Sequence, residues 1–250
     1  MERSILAIIE AIMRLSVQLY TLRDNLARDF QGTLEQVREI GFEFVEGAGG
    51  PSAEEQRKAY DAVGLKVNGF HCPIDAIEAD VNKVIADANT LGTKYVIVPW
   101  IGDDRRGDWA AFGRHLNDLG SPIKDAGLQL AYHNHDFEFV GDGLKAIYDN
   151  SSSDLLVAEL DLAWVKIGGA DPVAWVNDMG TRAPLLHLKD FDPSKNPQWQ
   201  PAGQGVMDFD AILAAASAAE FGVVELDAYA GDPIDAVRMS FEYFKSKGLS

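Results

Sequence analysis

Tyr95-Val96-Ile97-Val98 is an unbroken apolar run, preceded by Gly92 and closed by Pro99 and Trp100. A strand that is apolar at every position is buried on both faces, the condition of a parallel sheet covered by helices. Working outward from it, similar runs recur at Leu15–Tyr20, Phe42–Glu46, Lys66–His71, Leu128–His133, Leu155–Asp161, Pro184–Lys189 and Gly222–Asp227, making eight with Tyr95–Trp100. Between them, segments such as 33–40, 76–91, 109–126 and 208–221 carry alanine, leucine and charges at helical spacing. Helix-start signals stand at Thr33 with Gln36, Ser52 with Glu55, and Asp171 before Pro172. Gly41, Gly64, Gly92, Gly127 and Gly222 stand just ahead of strands, where a helix ends in a left-handed residue. Eight strand–helix units predict an α/β protein, a closed (β/α)8 TIM barrel of one domain. An open doubly wound sheet shares the rhythm, but no Gly-x-Gly-x-x-Gly follows the first strand. Gly47-Ala48-Gly49-Gly50 lacks that spacing and reads as a loop.

The length of 250 residues suits such a barrel, and 47% hydrophobic residues supply its core. Against 39 acidic residues stand 22 Lys and Arg, a formal charge of −17. That field repels polyanions, and no dense basic run offsets it, so nucleic acid is disfavoured as a partner. Cys72 is the only cysteine, so no intramolecular disulfide forms, which fits a reducing, cytoplasmic setting. Ile5–Met13 is mostly apolar but is broken by Glu10 and is too short to span a bilayer. Residues 1–12 are therefore expected to be an N-terminal extension without catalytic part, and 13–250 the barrel.

In barrels of this kind the active site is built where strands end. Here nearly every strand ends in polar residues: Gln18 and Tyr20, Glu46, His71, His133 and His135, Glu159 and Asp161, His187 and Lys189, Glu225 and Asp227. Within each pair the spacing is two, so both side chains share one face of the strand. If that face is inward, carboxylates and imidazoles converge at the barrel mouth and need a cation to neutralise them. Mixed nitrogen and oxygen donors suit one divalent metal, Mn, Co, Mg, Fe or Zn. Asp192–Pro201, with three prolines in the loop segment and Trp199, is expected to be an ordered loop near that mouth.

The chain resembles the xylose isomerase-like barrel superfamily, and within it the sugar phosphate isomerase/epimerase group. The resemblance rests on Leu130–Phe139 (LAYHNHDFEF), Glu159–Val165 (ELDLAWV), Leu186–Asp190 (LHLKD) and Gly203-Gln204-Gly205. It implies a metal held by residues from strands five to eight: His133, Asp161, His187 and Glu225. His133 stands where the superfamily commonly has glutamate, with His135 and Glu138 as nearby substitutes. The resemblance further implies Glu225 and His135 as proton carriers and Lys189 as the group that neutralises a developing oxyanion. Glu46, His71, Glu159 and Asp227 would contact substrate hydroxyls, and Trp100 would give a platform for a sugar's C–H face, with Trp164 as a second.

The implied function is a metal-dependent isomerase or epimerase acting on a small sugar or keto-sugar through an enediolate. Two alternatives stand beside it. An inosose-dehydratase-like or keto-sugar lyase shares the first proton removal, and a metal-free, degenerate sugar-binding barrel is allowed by His133 replacing the acidic ligand. A small-molecule sugar is the expected partner, with no membrane; relatives often form homo-oligomers.

Overall fold

The structure is a computed structural model and describes residues 13–250. The expected extension over residues 1–12 lies outside the described residues. Eight parallel strands close into a barrel: β1 Arg14–Gln18, β2 Phe44–Ala48, β3 Lys66–His71, β4 Tyr95–Val98, β5 Gln129–His133, β6 Leu156–Asp161, β7 Leu185–His187 and β8 Phe221–Val224. β1 pairs with both β2 and β8, which closes the ring.

Alternation along each strand sorts side chains into two cores. Val96 and Val98 face outward and join a large apolar cluster with the surrounding helices. Tyr95 and Ile97 face inward with Ala131, Val157, Leu185, Phe221 and Val223, forming the apolar floor of the barrel. The buried polar residues of the strand ends lie in the same inward columns: Val157 is followed at spacing two by Glu159 and Asp161, and Leu185 by His187. The period of two thus carries one column from apolar floor to polar mouth.

The helix signals hold in part. Ser52 and Glu55 form a reciprocal capping box ahead of the helix Ala53–Val63, and Asp171 caps a helix that begins at Pro172. The start expected at Thr33 lies earlier: Asp29 caps Phe30–Ile40 by accepting from the Gly32 N–H at 2.9 Å. The segment 76–91 is two helices, Ile74–Ala79 and Val81–Leu91, because the Asp80 carboxylate accepts from the Lys83 N–H and starts a new helix. Gly41, Gly64, Gly92 and Gly127 all have positive φ, as expected of helix ends. Gly222 does not; it lies within β8, where a Cβ would press on Leu188 and the Met13 sulfur.

The ordered loop expected after β7 is a small hairpin, with Asp190–Phe191 paired antiparallel to Trp199–Gln200. Its anchor is the buried Asp190 carboxylate. It accepts from the backbone N–H of Phe191 at 2.8 Å, Gly203 at 2.9 Å, Gly205 at 2.9 Å and Met207 at 3.1 Å. Gly205 has no room for a Cβ, which would collide with Asp190 and the Phe191 carbonyl. That accounts physically for the Gly203-Gln204-Gly205 sequence.

The long helix Trp109–Asp125 packs closely on Gly143–Asp149, and Gly113 makes the approach possible. A Cβ there would strike the Ile147 carbonyl, a backbone atom that cannot swing aside. Gly113→Ala is expected to destabilise the fold by about 1–3 kcal/mol. Urea unfolding followed by circular dichroism measures it; an unchanged midpoint would refute this packing.

Candidate metal centre and adjoining cavity

His133 ends β5, Asp161 ends β6, His187 ends β7, and Glu225 directly follows β8. Each offers one donor atom, and the four atoms all lie within 4.8 Å of one another. All four residues are buried. His187 Nδ1 lies 2.7 Å from Glu225 Oε2 and 4.0 Å from Asp161 Oδ2, while His133 Nε2 lies 3.9 Å from Asp161 Oδ2. The structure therefore brings together the four residues expected to hold a metal.

Local structure explains the aim of these side chains. Asp161 is both the last residue of β6 and the N-cap of the helix Leu162–Ile167. Its Oδ1 accepts from the Trp164 N–H at 2.9 Å, which turns Oδ2 toward the cluster. That Oδ2 is buried and has no hydrogen-bond partner; Lys189 Nζ is 3.1 Å away, an ion-pair contact but out of line for a hydrogen bond. The Asn134 side chain clamps the neighbouring strand ends, donating to the Asp161 carbonyl and accepting from the Asp161 N–H. Two imidazoles and two carboxylates, one of them with this unsatisfied buried oxygen, form a donor set that fits a divalent cation. A second group, His71, His133, Glu159 and His187, overlaps the first through its two shared histidines.

Lys189 compensates much of the acidic charge. It is 1% exposed, with Nζ 2.9 Å from Glu225, 3.1 Å from Asp161 and 3.0 Å from both Asp227 oxygens. The Trp199 ring covers it at 4.9 Å. Its acidic partner along the chain is thus Asp227, while Asp190 turns away into the hairpin. Burial opposes the charge on Lys189, but Asp161, Glu225 and Asp227 hold its pKa above the ordinary value. Burial would raise Glu225, yet Lys189 and His187 hold it below the usual carboxylate range. Asp227 goes the other way: burial outweighs Lys189 and lifts it to about 6. Burial, with Lys189 adding repulsion, lowers His135 to about 3, so its imidazole is neutral.

A cavity of about 410 Å³ adjoins the cluster. Its lining combines the polar His71, His133, His135, Glu225 and Asp227 with the apolar or aromatic Tyr20, Pro73, Pro99 and Trp100. Trp100 is 52% exposed there. Several expected contacts fall elsewhere. Glu46 and Glu159 do not line the cavity, because both are fully buried beneath it among histidines and amides. Lys189 is screened by Trp199, and Trp164 packs on Trp199 and beside His135 rather than on the cavity. Glu138, expected as a substitute ligand, turns away: it accepts from the Tyr132 hydroxyl at 2.6 Å and from the His135 N–H at 2.9 Å. Asn68 and Asn134 join the site without having been expected there. Asn134 lies between two recognised histidines, whereas Asn68 sits mid-strand with no motif around it.

Residues 34–247 match the family described as xylose isomerase-like TIM barrel. No curated protein matches the sequence significantly. Among solved structures, a sugar phosphate isomerase/epimerase from Parabacteroides distasonis superposes with a TM-score of 0.82 at 22% identity, covering 94% of each chain. The probable 3-DHS dehydratase AsbF from Bacillus anthracis follows with 0.74 at 13% identity, covering 93% of this chain and 99% of that one. The IOLI protein with a binding zinc atom gives 0.69 at 15%, covering 94% and 97%. At these identities the likeness carries the fold alone.

Glu138 offers a test of the support beneath His135. Burial lifts its pKa from 4.5 to about 7, against the pull of the Tyr132 hydroxyl. With the folded value raised, its contribution to stability is full below 4.5 and is lost as pH rises through about 7. Glu138→Gln mimics the neutral carboxyl at every pH. It should nearly match the parent protein near pH 5 and exceed it above pH 8, by up to about 3 kcal/mol. Urea unfolding at the two pH values checks this; parallel stability curves would contradict it.

Proposed function

This chain belongs to the xylose isomerase-like TIM barrel family, and we propose that it is a metal-dependent isomerase or epimerase of a small sugar or keto-sugar. The observation that carries this reading is the convergence of His133, Asp161, His187 and Glu225 beside a cavity with proton-transferring groups on its wall. These four residues would hold one divalent cation, Mn, Co, Mg, Fe or Zn. When bound, the cation supplies Lewis acidity toward a carbonyl and the charge that develops in an enediolate.

The chain's own groups do the rest. Glu225, kept ionised by Lys189 and His187, is one proton carrier at the carbon beside the carbonyl. His135 is the other: it lines the cavity and has a buried Nδ1 without a hydrogen-bond partner. Asp227 and His71 receive substrate hydroxyls on the polar wall, and Trp100 offers its face to the sugar's C–H surface. Lys189 works at one remove, setting the charge of Glu225 and Asp227 rather than touching substrate. The acidic cavity wall and the chain's negative charge favour an uncharged sugar over a polyanion.

A lyase would begin with the same proton removal and then expel a hydroxyl, so product analysis separates the two. Protein purified without chelator should hold about one equivalent of metal or take it up on adding Mn. Incubation with ketoses and inososes in D2O should place deuterium beside the carbonyl, read by NMR. An absorbing unsaturated ketone would replace the isomerase reading with the lyase. Metal near zero with no uptake would leave the metal-free barrel. Asp161→Ala should lower metal affinity by more than about tenfold. His135→Ala should keep the metal and reduce kcat by about 10²–10⁴-fold; unchanged exchange in this variant would remove His135 from the mechanism.

A further inference from the structure

Four polar side chains on β1 to β3, within the half of the barrel that supplies none of the proposed ligands, point inward and are buried: Ser16, Gln18, Glu46 and Asn68. In most barrels such layers are filled by branched apolar residues. A buried carboxylate there is costly unless something requires it. Glu46 sits at the centre of this layer. Gln18 Nε2 donates to its Oε1 at 2.8 Å and Asn68 Nδ2 donates to its Oε2 at 2.9 Å, while the Ser16 hydroxyl donates to Asn68 Oδ1 at 2.5 Å. Glu46 does not line the cavity, and both of its oxygens are committed to protein groups. A substrate contact does not explain it.

Its remaining neighbours do. His187 Nδ1 faces Glu225 and Asp161, the side of the proposed metal, and His187 Nε2 lies 2.8 Å from Glu46 Oε1. His133 repeats the pattern: Nε2 faces Asp161, and Nδ1 lies 3.1 Å from Glu159 Oε2. A neutral imidazole that coordinates through one nitrogen carries its proton on the other. A carboxylate accepting that proton fixes the tautomer and the ring plane, and makes the ligand more basic.

We infer that Glu46 and Glu159 are positioning residues: from beneath the site they accept the N–H of His187 and of His133 respectively, holding each ring with its other nitrogen toward the metal. Ser16, Gln18 and Asn68 hold Glu46 in turn, so the polar layer of β1–β3 acts as the supporting floor of a centre built on β5–β8. Glu159 is shared, lying 2.9 Å from His71 Nε2 and 3.2 Å from His187 Nε2. Glu46 has the shorter contact with His187, 2.8 Å, and His71 Nε2 lies 3.2 Å from the same oxygen. This inference rests on the metal reading of the proposed function.

Cobalt(II) is the probe. The full chain, freed of metal, is titrated with Co2+ while the visible absorption bands and the affinity are recorded for the parent, Glu46→Gln, Glu159→Gln and Asn68→Ala. The parent should bind with distinct d–d bands. Glu46→Gln and Glu159→Gln should still bind one Co2+ at saturation, with affinity reduced about 10–100-fold and with shifted bands. Asn68→Ala, which frees Glu46 without removing it, should show a smaller change in the same direction and serves if Glu46→Gln does not fold. Circular dichroism and melting establish folding. If the parent binds no Co2+, the metal reading and this inference fall together. If the parent binds and the folded variants match it in affinity and spectrum, only this inference falls. Loss of all binding in Glu159→Gln at saturating Co2+ would make Glu159 a ligand in the alternative four-residue group and overturn its positioning role.

Discussion

The mouth of this barrel is governed by the problem of keeping negative charge out of water. Glu46, Glu159, Asp161 and Glu225 are buried within one small volume, with Asp227 at its edge. Left alone, they would repel one another and favour protonation. Lys189 meets three of the acidic groups at ion-pair distance, and His187 lies against Glu46, Glu159 and Glu225. Much else follows from this balance. Trp199 excludes water from Lys189, Asp190 anchors the hairpin that carries Trp199, and Asn134 ties the β5 end to the β6 end. Even so, Asp161 Oδ2 and Glu159 Oε1 remain without hydrogen-bond partners.

The strands were legible in the sequence because an apolar run bounded by glycine and closed by polar residues buries both its faces only as an interior strand of a covered sheet. Lys66–His71 has the expected bounds, and the others shift by one to a few residues. At β7 and β8 the ladder stops earlier than the apolar pattern suggests, at His187 and Val224. The chain stays extended beyond, so Lys189 and Glu225 continue their columns without belonging to the sheet. The spacing of two preserved the facing of the polar pairs, while the grouping of Asp161, His187 and Glu225 as ligands came from the family resemblance.

Depth was not legible. Strand phase says that Glu46, Glu159 and His71 face inward, but not which lies on the cavity wall and which below it. That depends on strand stagger and on the bulge between Val45 and Glu46, features of pairing rather than of any single strand. Lys189 was hidden for another reason. Its concealment comes from Trp199, ten residues away across a hairpin whose anchor is a lone aspartate. The broken helix at Asp80 shows the same limit on a local scale: an aspartate within a helical pattern does not announce whether it caps.

The anchoring of the hairpin by Asp190 also separates two kinds of change. Both ends of the segment 192–198 are fastened, by the Asp190–Phe191 pairing with Trp199–Gln200 and by the N–H groups that converge on one carboxylate. Insertions or deletions at its tip would therefore alter the exposed turn without transmitting a shift to His187, only a few residues upstream. Such a mooring lets a lineage vary the loop while the buried groups upstream keep their spacing, a division of labour between adaptable edge and fixed interior.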